Sequence, residues 1–468
     1  MRAVIGVDSS TQSCKVLAVD AESGGILSAG SAPHPDGTSI DPALWTAALE
    51  KAWLDAGIPA VAGNDAVIGV GVAAQQHGMV ALDQANVPVL DALLWNDTRS
   101  AEAAAAMRDE LGPEAWIEAS NVVPVASFTL SKLAWLARHE PAAADAVARV
   151  VLPHDWLNFQ LSGSFSTDRS DASGTAYFNA VTNEYRTDLL QRFFGRIPEL
   201  PPVLEPSGRA GFVLEKWGTP RAVLSAGAGD NAGAALGLGL KPGEIVVSIG
   251  TSGTVFTTSE TPTHDPSGAV AGFADATGNH LPLLAMINSA RVLAASAGML
   301  GVDLPAFDRL AQDAEPDASG LTLLPYLDGE RTPNLPGAHG SLLGMSRANM
   351  SAANVARASV LGVLNSLADA LEIMESHGVR VDRVLLIGGG SKSRALRQAA
   401  ASVFGVPVDV PAAREYVALG AARQAAWAAT GELPEWERRI DESFEPSGEW
   451  GSEVRGRYVA ARKAMYGV

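Results

Sequence analysis

The 468-residue sequence predicts an α/β protein of two lobes of similar plan. Short β-branched runs alternate with longer stretches of helical spacing. A strand–turn–strand opening occurs twice, as VIGVDSSTQSCKVLAV from Val4 and as IVVSIGTSGTVFTTSE from Ile245, about 240 residues apart. The chain is also too long for one ordinary core. Residues 1–240 and 241–468 are therefore expected as two lobes, with a small-molecule cleft between them.

In order, Ala3–Val7 reads as a strand, Asp8–Cys14 as a polar turn, Lys15–Asp20 as a second strand and Ile26–Ala29 as a third. Leu44, Trp45, Leu49 and Trp53 give Pro42–Asp55 helical spacing. Val67–Val72 is a β-branched run that suits a buried strand. Helices are expected at Ser100–Leu111 and Thr129–Arg138, and short strands at Val150–Leu152 and Val223–Ser225. The second series holds strands at Ile245–Ile249, Thr254–Thr258, Val384–Ile387 and Val406–Val410. Its helices are Asn354–Ser376, Arg394–Phe404 and Val417–Thr430.

Composition narrows the function. With 34 basic and 52 acidic residues the net charge is −18, a balance that repels a nucleic-acid backbone. No apolar run approaches the ~18–20 residues that span a bilayer, and the run after Arg2 is too short for a secretory leader. Cys14 is the only cysteine, so no intrachain disulfide forms and a cytoplasmic setting is expected. The eight histidines are scattered without metal-pair spacing.

Three turns suit phosphate. After Asp8 the residues Ser9–Ser13 are small or polar, so their N–H groups, Thr11 included, can converge on an anion. Asp8 adds a hard oxygen suited to Mg²⁺, and Lys15 a compensating charge. An ordinary polar hairpin explains the same residues. Gly250–Thr251–Ser252–Gly253 is a second such turn. Gly388–Gly389–Gly390 follows a strand and precedes a helix, which aims helix N–H groups at an anion. A dinucleotide fingerprint fails there because Ser393 takes the last glycine position. The P-loop and protein-kinase motifs are absent.

Polar groups suited to a polyol gather elsewhere. Gln76 and His77 follow the strand Val67–Val72, where side chains emerge into a cleft. A structural histidine is the plainer reading of His77 taken alone. Trp95, Asn96 and Asp97 set an aromatic face beside hydrogen-bonding groups, or else Asn96 or Asp97 caps a helix. Asp230, in GAGDNAGA, is either an N-cap or a general base kept ionised by a helix N-terminus.

With these pieces in place, the chain from Val4 to about Thr430 resembles the FGGY family of carbohydrate kinases. Ser127–His139 (SFTLSKLAWLARH) fits one family signature throughout, Lys132 and Trp135 included. Gly340–Ser359 fits most of a second, with Leu361 nearby where an acid is usual. The order of QQHG, LWNDTR, SDASGT, GAGDNAGA, SIGTSG and LPYLDGERTP is similar to that of members acting on D-xylulose. Gln76 stands where methionine is common, and Ser10 replaces a glycine of the first turn.

The resemblance implies two actin-like (ribonuclease H-like) lobes, the N-terminal one binding sugar and the C-terminal one nucleotide. It implies phosphorylation of D-xylulose on its 5-hydroxyl, with ATP and Mg²⁺. Asp230 resembles the catalytic base, Asn231 a sugar ligand, Gln76 and His77 the sugar-binding pair, and Asp8 the acid that positions Mg²⁺. Thr251 resembles a phosphate contact, and Gly389 with Ser393 the nucleotide-binding pair. Partners are then a small sugar and ATP, with a homodimer left open. A kinase for ribulose, glycerol or gluconate is the alternative. A nucleotide-dependent binding protein or chaperone of the same plan is the rival from another class.

Overall fold

The computed structural model describes residues 2–61 and 66–468. The chain folds into two compact units. The first is Met1–Leu240 with Thr258–Leu281 and Arg414–Glu437. The second is Lys241–Thr257, Pro282–Ala413 and Arg438–Val468. The first crossing falls at Leu240–Lys241, while the two later returns carry no local signal in the sequence.

In the first unit the sheet runs Arg209–Phe212, Val223–Ser225, Val67–Ala74, Ala3–Ser9, Ser13–Asp20, Ile26–Pro33, with Ala228–Gly229 also paired to Val67–Ala74. Ala3–Ser9 is antiparallel to Ser13–Asp20 and parallel to Val67–Ala74. The second unit repeats this plan. Glu244–Ile249 is antiparallel to Gly253–Phe256 and parallel to Arg383–Ile387, and Val408–Pro411 and Ile440–Phe444 extend the sheet. The similar plan expected for the two lobes is thus present strand for strand in their openings.

The ladder is longer than the hydrophobic pattern suggests. Asp8 pairs with Lys15 and Ser9 with Cys14, so only Ser10–Gln12 lie outside the two strands. The expected polar turn Asp8–Cys14 is corrected accordingly: cross-strand hydrogen bonding carries Asp8, Ser9, Ser13 and Cys14 into the sheet. Helix Pro42–Asp55 has the expected bounds, with the Asp41 carboxylate accepting from Ala43 N at 2.9 Å.

Strand alternation sends neighbouring residues to opposite faces. Ile5, Val7, Val70 and Val72 join Trp45, Leu49, Trp53 and Leu157 in one buried cluster. On the other face Val4, Leu17 and Val19 meet Ala418, Leu419, Ala422 and Ala425 of the helix Tyr416–Thr430. That helix lies so close that glycine is required beneath it. A Cβ on Gly6 would stand 1.9 Å from Ala418 O, and one on Gly71 2.1 Å from Ala421 O. Among the described residues no single helix is long and apolar enough to cross a membrane.

The same helix meets Asp230–Leu238 through glycine, since a Cβ on Gly420 would lie 1.8 Å from Gly233 O. Helix propensity alone predicts that Gly420→Ala stabilises the protein by about 1 kcal/mol. Overpacking predicts a loss of about 1–3 kcal/mol, which is the expected outcome. Urea unfolding reads the sign, and a gain in stability would rule out the close packing.

Candidate active site

The candidate residues of the first unit emerge where strands end side by side. Asp8, Ala73 and Ala228 are in register across three strands, as are Ser9, Ala74 and Gly229. One step beyond that line come Gln75 and Asp230, and Gln76 follows Gln75. The carboxyl edge of a parallel sheet is where α/β proteins bind ligands.

Asp8 is 3% exposed. Burial raises its pKa to about 6, against the opposing effects of the Ser10 hydroxyl, which donates to Oδ1, and of Lys15. Lys15 Nζ is 4.0 Å from Asp8 Oδ2 but 2.6 Å from Glu415 Oε2, so Glu415 competes for its charge. Of the turn residues, Thr11 accepts a hydrogen bond from Trp95 Nε1 at 2.8 Å. Asn96 and Asp97 cap no helix. The next one starts at Ala101, and Asp97 accepts instead from Arg99 N and Nε at 3.0 and 2.8 Å.

Gln76 and His77 are held by the segment SDASGT. Gln76 Nε2 donates to Ser170 O at 3.0 Å, and His77 Nδ1 meets Gly174 O at 2.8 Å. A carbonyl only accepts, so Nδ1 carries a hydrogen, and Nε2 is an acceptor while the ring is neutral. The ring packs against Phe128 and Phe273, with centroids at 4.9 and 5.5 Å. Two glycines make room. A Cβ on Gly174 would stand 2.3 Å from His77 Nδ1, and one on Gly229 2.5 Å from Gln76 Cγ.

Beneath this segment His154 Nδ1 lies 2.6 Å from Asp171 Oδ2, and Nε2 lies 3.2 Å from Asp155 Oδ1 and 3.8 Å from Asp168 Oδ1. Burial alone would discharge this imidazole, but Asp155 and Asp171 overcome it and keep it protonated. Asp168 in turn accepts from Ser170 N at 2.7 Å and from Asp171 N at 3.0 Å. Ser170 Oγ accepts from Gly229 N at 3.0 Å, which ties the segment to the residue before Asp230.

Asp230 is not an N-cap. Gly229 occupies that position and Asp230 is the first helical residue. Its Oδ1 accepts from Asn231 N and Asn231 Nδ2, both at 2.8 Å, and no hydrogen bond among the described residues reaches Oδ2. Asn231 thus orients the carboxylate. The expectation that the helix N-terminus keeps Asp230 ionised is also corrected. Burial first, and Asp8 second, raise its pKa to about 7.

The second unit presents two neighbouring turns. Ser248 is in register with Ile387, so the turn after Ile249 and the glycine turn after Ile387 lie side by side. Thr251 is exposed, and its carbonyl accepts from Arg291 Nε at 3.3 Å. Gly388, at φ 90°, backs onto Ile249, while a Cβ on exposed Gly389 would meet open space. Ser393 is the N-cap of Arg394–Phe404, accepting from Leu396 N at 3.2 Å and donating to Asp308 Oδ1. Asp308 also accepts from Arg394 N and Ala395 N at 3.2 Å. The helix N–H groups expected to face a phosphate are therefore already matched by a carboxylate.

Sequence reasoning overlooked Glu415, Ser170, Gly174, His154 and Asp308 as parts of this arrangement. SDASGT stood out as a motif, but nothing local says that its carbonyls grip Gln76 and His77. The other residues reach the site from distant segments.

The chain is similar to known proteins over nearly all of its length. Residues 3–237 match the model of the FGGY family of carbohydrate kinases, N-terminal domain, and residues 245–429 the C-terminal domain of that family. A xylulose kinase of Streptomyces coelicolor is 45% identical over 438 residues, covering 92% of this chain and 88% of its own. The crystal structure of a xylulose kinase from Bifidobacterium adolescentis superposes with a TM-score of 0.91 at 43% identity, covering 98% of this chain and 99% of its own. A Plasmodium falciparum glycerol kinase reaches 0.89 at 18% identity over 100% and 98% of the two chains, a likeness of fold alone.

The raised pKa of Asp230 has a consequence for stability. Between the ordinary carboxyl value of 3.8 and about 7 the folded protein binds more protons here than the unfolded chain, so this group lowers stability as pH rises. Asp230→Asn removes that penalty. The variant is expected to gain more in melting temperature over the parent at pH 8 than at pH 4.5. An equal difference at both pH values would show that Asp230 titrates normally.

Proposed function

Because the chain belongs to the FGGY family of carbohydrate kinases, we propose that it transfers the γ-phosphoryl group of ATP to the 5-hydroxyl of D-xylulose. The observation that carries this reading is the placement of Asp230. Its carboxylate sits at the carboxyl edge of the sheet, next to Gly229, which abuts Gln76, and two residues beyond the level of Asp8, with Oδ1 held by Asn231. The xylulose kinases of Streptomyces coelicolor and Streptomyces rubiginosus, 45% and 42% identical, support the choice of sugar.

Phosphoryl transfer needs an oriented hydroxyl, a place for its proton and positioned phosphates. Asp230 is assigned the proton. Asn231 fixes Oδ1, leaving Oδ2 to accept from the sugar hydroxyl. A pKa near 7 suits a general base at neutral pH. His77 is assigned to a sugar hydroxyl, which its Nε2 accepts. Gln76, with one amide N–H donated to Ser170 O, is assigned to the same sugar through its remaining amide groups. In the second unit Thr251 and Gly389 are assigned to the nucleotide, with Ser393 acting indirectly by fixing the helix beside the glycine turn.

Asp8 raises the pKa of Asp230, and Glu415 adds to that of Asp8, so the site as built is short of positive charge. Mg²⁺ fits, because it takes one or two carboxylates and completes its shell with water and substrate phosphates. Asp8 is the residue assigned to hold it. When bound, the ion neutralises phosphate charge. Among the described residues no cluster of three or more metal-ligating side chains stands ready as a cage, which suits an ion that arrives with a nucleotide. Cys14 is buried and unpaired, in keeping with a reducing cytoplasmic setting.

A coupled ADP-release assay on xylulose, ribulose, glycerol, gluconate and fuculose tests the reading. D-Xylulose is expected to give the highest kcat/KM. A higher value for glycerol or gluconate would refute the sugar assignment. ATP turnover indifferent to sugars and raised by peptides would place the protein among nucleotide-dependent chaperones instead.

Asp230→Asn keeps size and polarity but removes the basic oxygen. Its kcat is expected to fall by about 10²–10⁴, the usual worth of a general base. A variant retaining more than about a tenth of the parent rate would remove Asp230 from that role.

A further inference from the structure

The structure assigns Lys132 as a positioning residue for the sugar-binding turn, acting through the carbonyl oxygen of His77. The assignment rests on the reading of His77 as a sugar ligand.

Lys132 is fully buried in the first turn of the helix Thr129–His139. Three features make this an unfavourable place for lysine. Burial strips water from the ammonium, and it pulls the pKa down to about 7. No carboxylate among the described residues pairs with it, and Asp97 acts on it only across a distance. A cation in the first turn also opposes the helix dipole. A leucine or methionine would avoid all three penalties.

What the lysine does instead is donate to two backbone carbonyls, His77 O at 2.9 Å and Ser127 O. Thr129 Oγ1, from the same helical turn, also reaches His77 O at 3.3 Å. His77 is the place in the site where the backbone needs such help. Its φ is 69°, in the left-handed region that a residue with a side chain rarely adopts. Its ring is fixed separately, by Gly174 O and by the two phenylalanines. Orienting the ring thus depends on two constraints: SDASGT and the phenylalanines hold the imidazole, while the helix start holds the peptide plane. Lys132 supplies the shorter of the two hydrogen bonds to His77 O. A neutral amine retains hydrogens for both carbonyls, so the device does not depend on the charge.

Satisfying Ser127 O alone would be a purely structural role, and a double-mutant cycle separates the two. In the full-length protein, Lys132→Met, His77→Ala and the double variant are compared for the KM of D-xylulose, the KM of ATP and melting temperature. Lys132→Met is expected to raise the xylulose KM about ten-fold, within the coupling range of residues in contact, and to leave the KM of ATP unchanged. In the His77→Ala background it is expected to add almost nothing. Lys132→Gln, which keeps a donor, is expected to recover part of the loss and serves if the methionine variant folds poorly. An equal effect of Lys132→Met with and without His77 overturns the proposal but leaves the sugar reading intact. A normal xylulose KM in Lys132→Met likewise overturns it. A normal xylulose KM in His77→Ala overturns the sugar reading and the proposal together.

Discussion

Where the helix Tyr416–Thr430 lies on the strands Ala3–Ser9 and Val67–Ala74, peptide groups meet with no side chain between them. Gly6, Gly69 and Gly71 form the floor, and Gly420 meets Gly233 on the neighbouring helix. Dispersion falls off steeply with distance, so such contact is strong only if no Cβ intervenes. This contact positions two parts of the candidate site. It seats the helix that begins at Asp230, and it brings Glu415, just before the docking helix, to 2.6 Å from Lys15 Nζ. Lys15 is therefore divided between Glu415 and Asp8. A segment more than 400 positions along the chain thus sets part of the electrostatics at the end of the first strand.

Charge in the first unit is organised as two acidic groups with different compensation. Around His154 the carboxylates of Asp155, Asp168 and Asp171 share a buried imidazolium, so that group is nearly self-contained. Asp8 has Lys15 at 4.0 Å, itself engaged by Glu415, Asp230 forms no ion pair among the described residues, and burial raises both pKa values. The first arrangement stiffens the segment beneath Gln76 and His77. The second holds two carboxylates in a state that favours arrival of positive charge or uptake of a proton. Burial of these two groups costs stability once they ionise, because both pKa values are raised.

The two units repeat one plan and use it differently. In each, an opening strand turns tightly into an antiparallel neighbour and runs parallel to a later strand, so two turns come to lie side by side. In the first unit these turns carry acids and amides. In the second they carry Thr251 and an exposed glycine, and the adjacent helix terminus is occupied by Asp308.

Much of the architecture was legible locally, because periodicity and turn chemistry act over a few residues. Helices Pro42–Asp55 and Arg394–Phe404 and strand Val223–Ser225 have the bounds their patterns imply. The types and places of Gln76, His77 and Asp230 were legible too, since each follows a strand, as was that of Asp8 near the end of one. Strand ends were less so, because Asp8 and Ser13 belong to a ladder that hydrogen bonds define and hydropathy does not. The protonation of Asp230, the match of Asp308 to a helix end and the grip of Lys132 on His77 were decided only by the tertiary structure. Each depends on burial or on partners from distant segments, and neither quantity is contained in a residue and its sequence neighbours.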